Sequence, residues 1–210
     1  MTKHKSLLAI AVLIIFYTVG IVGLGQAHTR EFFLILTPFN LLLTAGVYIW
    51  GNGNYGPRFL LLFLLITAFG IAVEILGVHT GLLFGIYEYG HPLGFKFLNV
   101  PLIIGVNWSI LILSANGLLK NFTSHKLLRA ATAAFLVTSL DVLIEPVAVH
   151  LDFWHWENQS IPLQNYLMWF ITALLLEMLV EFFNVNIESN VSTGVFFIQV
   201  AFFGLLNLMV

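Results

Sequence analysis

Hydrophobic residues in this chain gather into long blocks at 7–25, 32–50, 59–78, 100–119, 127–149, 163–183 and 194–210, with short polar breaks between them. A helix crosses the hydrocarbon layer in about 20 mostly apolar residues, so each block predicts one membrane-spanning helix. The last block is the weakest, because it runs to the final residue. The breaks carry turn chemistry, as in Gly51-Asn52-Gly53-Asn54-Tyr55-Gly56-Pro57. With no internal repeat, low-complexity tract or flexible linker, residues 1–210 are expected to form one integral membrane domain. The first block follows Lys3-His4-Lys5 and precedes Gly25-Gln26-Ala27, an arrangement that mimics a signal peptide. Its apolar length of about 18 residues exceeds the roughly 7–15 of a signal core, so a retained helix is expected.

Composition turns this pattern into a fold class. The 210 residues are 60% hydrophobic and 9% charged, against roughly 25% charged in an average soluble domain. So few charges cannot solvate a soluble globule, and the basic surface of a nucleic-acid binder is missing. Cys is absent, which removes disulfides, thiolate metal sites and Cys nucleophiles. The expectation is an all-α, polytopic helical bundle of about seven transmembrane helices, multi-pass in the cell (cytoplasmic) membrane. Basic residues set its orientation. With the N-terminus cytoplasmic, Lys3, Lys5, Arg58, Lys120, Lys126 and Arg129 fall inside, and Arg30 and Lys96 outside.

Charge also points to chemistry, because Glu74, Asp141, Glu145, Glu177 and Glu181 fall within the predicted spans while no Lys or Arg falls in a span core. A charge at mid-membrane costs about 3 kcal/mol on insertion scales, which makes such groups functional candidates. A carboxyl in hydrocarbon without a cation favours its neutral form and is then a proton donor. Helical rise places Glu74 about 6 Å below the outer end of its span, and Asp141 and Glu145 roughly 6–12 Å below theirs. These acids converge in the outer third of the membrane. Glu145 precedes Pro146 and has a structural reading too, since polar groups near a Pro satisfy freed backbone. Glu181 is expected to reach the inner interface. Glu177 shares a stripe with Tyr166, Phe170 and Ala173, and either pairs across helices or marks a path.

Two outer connections carry the polar and aromatic residues. The first runs His79-Thr80-Gly81-Leu82-Leu83-Phe84-Gly85-Ile86-Tyr87-Glu88-Tyr89-Gly90-His91-Pro92-Leu93-Gly94, and its alternating tyrosines suit a short hairpin or re-entrant flap. The second runs Asp152-Phe153-Trp154-His155-Trp156-Glu157, then Pro162-Leu163-Gln164-Asn165-Tyr166 into the sixth span. An interfacial aromatic belt accounts for part of this, but not for Asn107-Trp108 or Trp169 inside spans. His79, His91, His150 and His155 lie outside without zinc-motif spacing, so no metal is expected. Phosphate-loop, dinucleotide and serine-elbow signatures are also missing. What remains is an apolar chamber with acids, amides and aromatic faces, suited to acid chemistry on a lipid-soluble molecule through a cation.

The run Glu74-Ile75-Leu76-Gly77-Val78-His79-Thr80-Gly81, then Phe84-Gly85, Tyr87, Tyr89-Gly90, Leu93-Gly94, Lys96, Val100-Pro101-Leu102 and Asn107-Trp108, resembles the carotenoid biosynthesis protein family. Within it, the resemblance is to CruF-type carotenoid 1,2-hydratases, which include the hydratase of the C50 bacterioruberin pathway. A second stretch agrees: Leu140-Asp141, Glu145-Pro146-Val147-Ala148, Trp154, Trp156, Pro162, Asn165-Tyr166 and Trp169-Phe170. Phe95 stands where the family would have Pro, and Met168 where Gly is usual. The resemblance implies addition of water across the terminal 1,2 double bond of an acyclic carotenoid, giving a tertiary 1-hydroxy product without a cofactor. It implies a lipid-soluble acyclic carotenoid as substrate, and as surroundings membrane lipid and other carotenoid biosynthesis enzymes, with no nucleic acid.

The residue roles come from the burial argument. Asp141, with Glu74 as second choice, is expected to protonate C2. Trp108, Trp169 and Tyr166 then cradle the cation at C1, with Tyr87, Tyr89 and Trp154 completing the binding surface. Water is expected to be held by Asn165, His79, Asn107 or Glu145, while a second carboxylate accepts its proton. Three alternatives stay open: an end-group cyclase, a proton-coupled lipid transporter, and a non-catalytic pigment-binding protein.

Overall fold

The structure is a computed structural model, and it describes residues 2–53 and 56–209. Its elements are α1 (Thr2–Gly25), α2 (Arg30–Asn52), α3 (Pro57–Thr80), β1 (Tyr87–Tyr89), β2 (Lys96–Phe97), β3 (Val100–Pro101), α4 (Leu102–Leu119), α5 (Lys126–His150), β4 (Trp154–Trp156), α6 (Leu163–Phe183) and α7 (Ser189–Leu206). Among the described residues, 7 helices are long and apolar enough to cross a membrane.

α4 is the axis of the bundle and touches α2, α3, α5, α6 and α7. Its most apolar stretch is 78% buried, whereas those of the other helices are 17–39% buried. The outer helices present Phe32, Phe39, Leu64, Phe135 and Phe182 outward, each more than half exposed. Apolar surface on this scale is inverted relative to a soluble protein and is what hydrocarbon solvates. Small side chains bring α3 and α4 close. A Cβ on Gly70 would stand 2.7 Å from the Trp108 ring, so glycine there is what admits the indole between the two helices.

Polar ties close both ends. At one end, Ser6 donates to the Gly51 carbonyl at 3.2 Å and to Glu188 at 3.1 Å, joining α1 to α2 and to the start of α7. On the same level, the Arg129 guanidinium forks onto both oxygens of Glu181, joining α5 to α6. At the other end, Arg30 meets His150 at 3.2 Å, and Asn207 donates to the Leu143 carbonyl at 2.7 Å. That second end carries all four strands and is called the sheet end below.

α1, α2, α3 and α5 run longer than their apolar blocks, and α6 matches its block. α7 begins at Ser189 rather than 194, because its first turn is polar and capped: the Glu188 side chain accepts from the Val191 N–H. α4 begins two residues late, because Val100 and Pro101 are drawn into β3. β2 and β3 pair antiparallel about Leu98 and Asn99, both at positive φ (48 and 65), which is the two-residue turn that suits strand twist. Tyr87–Tyr89, expected in a short hairpin or re-entrant flap, form no hairpin within their own connection; β1 pairs with β4 from the other connection. Glu181, expected to reach the inner interface, is held by Arg129, a basic partner that composition of the span cores did not reveal. Asn54, Tyr55, Val210 and the side chain of Lys3, which entered the expected turn, last span and inner basic group, lie outside the described residues.

Candidate active site

The two sheet-end connections are joined by the β1–β4 ladder, with Tyr87 opposite Trp156, Glu88 opposite His155 and Tyr89 opposite Trp154. Strand residues alternate faces, so one register turns all four large rings into the bundle and Glu88 and His155 outward. The ladder continues as Gly90 N–H donates to the Phe153 carbonyl at 2.9 Å. A Cβ on Gly90 would lie 1.8 Å from the Asp152 carbonyl oxygen, so only glycine permits this approach. Tyr87 stacks obliquely on Trp156 at 5.1 Å, and Tyr89 meets Trp154 edge-on at 6.0 Å.

Beneath the ladder lie three buried carboxyls, and they differ in what reaches them. Glu74 on α3 accepts from the Tyr87 and Tyr89 hydroxyls at 2.5 and 2.7 Å and from the Trp108 indole at 3.1 Å. Glu145 on α5 accepts from the indoles of Trp154 and Trp156 at 3.0 and 2.9 Å and from Asn165 at 3.0 Å. Glu145 therefore serves the two tryptophans and Asn165, not the backbone freed by Pro146. Asp141 receives one bond, from the same Asn165 amide at 3.0 Å, and its Oδ1 has no protein partner among the described residues. Burial, and next the charge of Glu74, push the Tyr87 and Tyr89 phenols well above their ordinary value. Both therefore remain donors toward Glu74.

Three cavities meet around these groups. A chamber of about 30 Å³ is bounded by Glu74, Glu145, Asn165, Asn107 and the stacked pair Trp108–Trp169, whose ring centroids are 4.3 Å apart. Above it, a vestibule of about 1230 Å³ has a mixed wall, with Glu88, Lys96, Asn99, His155 and Glu157 beside Val78, Ile86, Val149 and Ile161, and shares Tyr87, Tyr89 and Trp156 with the chamber. To its side, an apolar groove of about 330 Å³ runs between α1, α2 and α7, and shares Ile104, Asn107, Ile144 and Trp154 with the chamber.

Most residues singled out from sequence come together here: Glu74, Glu145, Tyr87, Tyr89, Trp108, Trp154, Trp169, Asn107 and Asn165 all border the chamber. Asp141 lies behind Asn165 and does not border it. Tyr166 is half-buried on α6 and also stays off the chamber wall. His79 is turned away: its ring bonds the Ile75 carbonyl on its own helix at 3.0 Å and is exposed. Trp156, Phe84, Ile104 and Ile144 border the chamber without having been given a role in the site. Trp156 had a signal, since it alternates with Trp154 and so shares its face once the segment is a strand. No group of three His, Asp or Glu side chains able to hold a metal ion occurs among the described residues. Toward the opposite end, Asn116 donates to Glu177 and Glu181, both at 2.9 Å. Glu177 thus pairs across helices.

The carotenoid biosynthesis protein family pattern matches residues 31–210. The chain is 28% identical over 163 residues to a bisanhydrobacterioruberin hydratase of Haloarcula japonica, covering 73% of this chain and 54% of that protein. It spans about half the length of that curated relative. No solved structure matches.

Proposed function

The chain belongs to the carotenoid biosynthesis protein family, and from that premise we propose that it is a carotenoid hydratase, adding water across the terminal 1,2 double bond of an acyclic carotenoid end group. The activity named for the Haloarcula relative supports hydration. The observation that carries the residue assignment is the unequal loading of the three carboxyls. Glu74 and Glu145 each take three N–H or O–H donors, the pattern of an acceptor-only carboxylate. Asp141 takes one donor and keeps an oxygen with no partner among the described residues, the place for a proton.

In this reading Asp141 gives its proton to C2 of the end group, and the π electrons form the new C–H bond. Asn165 stands between Asp141 and the chamber, so its amide swings aside as the end group arrives. The tertiary cation left at C1 lies among Trp108, Trp169 and the anions Glu74 and Glu145. Each aromatic face contributes about 0.5–2 kcal/mol, and fixed charges in a dry site stabilise the cation further. Water from the vestibule forms the C1–O bond and yields its extra proton to Glu145, which stands one helical turn from Asp141. One proton leaves a carboxyl and one returns to a carboxylate, so the site is restored when the pair re-equilibrates.

Expression in a host that accumulates an acyclic carotenoid, followed by pigment mass spectrometry, tests this. A gain of one water per reacted end is expected. Pigment of unchanged mass, cyclised or not, would overturn the assignment. The charged and amide groups of the vestibule beside the chamber, Glu88, Lys96, Asn99, Glu157 and Gln159, favour capture by water over ring closure.

A further inference from the structure

The resting chamber, about 30 Å³, has room for little more than a water molecule, so an end group must be let in from a neighbouring space. The vestibule is the poorer neighbour for an apolar chain, because Glu88, Lys96, Asn99, Glu157 and Gln159 interrupt its apolar wall. The groove is the right one in size and chemistry. At about 330 Å³ it reaches the range of ligand pockets, roughly 300–1,000 Å³. Its walls are almost wholly apolar, and it adjoins the chamber through Ile104, Asn107, Ile144 and Trp154. Its far side opens toward lipid, since Phe16, Val19 and Phe39 on that rim are 47%, 51% and 64% exposed. From Phe16 to Leu24 the groove follows about 12 Å of α1, at 1.5 Å per residue.

Resting on the hydratase reading, we propose that this α1–α2–α7 groove is the binding site for the polyene chain adjoining the reacting end, entered sideways from the bilayer. The end group passes from it into the chamber at Asn107, which borders both spaces and whose side chain makes no hydrogen bond among the described residues. The groove is shorter than the substrate, so the rest of the chain stays in the membrane.

Filling the groove from two helices tests the site. A Cβ on Gly20 would already lie 3.3 Å from the Phe202 ring, so Gly20→Leu plugs it from α1 and Thr37→Phe from α2. In protein purified from a carotenoid-producing host, each is expected to lower bound polyene, read by visible absorbance per protein, roughly tenfold. Hydrated product falls with it. Adding Phe202→Ala to Gly20→Leu makes room again and is expected to restore both, and Thr37→Phe carries the test alone if Gly20→Leu does not fold. Plugged, folded protein that keeps its polyene overturns the proposal, as does loss of phospholipid acyl chains in place of polyene. If wild-type protein binds polyene, loses it on plugging, yet never forms hydrated product, the groove stands and the hydratase reading fails.

Discussion

Asp141 and Glu145 stand one turn apart on α5 and share a single amide, Asn165, yet only Glu145 is also held by two indoles. That inequality predicts unequal responses to neutralisation. Asp141→Asn removes the transferable proton and is expected to cut hydrated product about 10²-fold or more, the scale of general-acid loss, with protein level unchanged on immunoblot. Glu145→Gln offers a single oxygen to three donors and is expected to lower both activity and melting temperature, because buried indole N–H groups left unpaired cost about 1–3 kcal/mol. Tyr87 and Tyr89 carry a pH prediction. The folded protein holds their protons more tightly than the unfolded chain does. Their contribution to stability is therefore full below about pH 10, the ordinary phenol value, and is lost as pH rises beyond it. Thermal unfolding measured across that range is expected to show a fall in melting temperature that Tyr87→Phe with Tyr89→Phe flattens.

Elements decide where those side chains meet, and the β1–β4 ladder is the least expected of them. Neither segment is a convincing strand alone, because three residues form no independent sheet. They pair because α3 and α5 end at the same level and Gly90 lets the chains touch. Gly90→Ala drives a Cβ into backbone that cannot yield. It is expected to abolish activity and lower melting temperature while far-UV circular dichroism keeps its helical shape. The seven helices were legible in the apolar blocks, as were the acids buried in them. The ladder was not, because its partners lie more than sixty residues apart and period-2 alternation over three residues is too short to signal a strand. The Arg129–Glu181 fork was missed for a related reason: Arg129 enters α5 at its first turn and reaches inward only through its long side chain. Removing one partner of such a pair costs up to roughly 3–5 kcal/mol. Arg129→Met should therefore destabilise more than Arg129→Met combined with Glu181→Leu, a comparison thermal unfolding makes directly.

Across the whole molecule, function is divided by level: ion-paired polar ties at one end, a packed apolar middle around α4, and the chamber with its two side spaces at the sheet end. The basic residues predict that the sheet end faces outward. Because the chain has 0 Cys, a single cysteine is a clean reporter. Glu157→Cys in the vestibule is expected to react with an impermeant maleimide on intact cells, and Asn121→Cys only after lysis; the reverse pattern would invert the topology. The distribution of indoles has one more consequence. Of the 5 tryptophans, Trp108, Trp154, Trp156 and Trp169 border the chamber, leaving Trp50 apart near the opposite end. Near-ultraviolet emission from this protein is therefore mostly light from one small volume. A polyene in contact with these rings drains their excitation, so occupancy is readable without a label, as quenching of indole emission. The face-to-face pair Trp108 and Trp169 adds an exciton-coupled dichroic band that vanishes if either ring is moved.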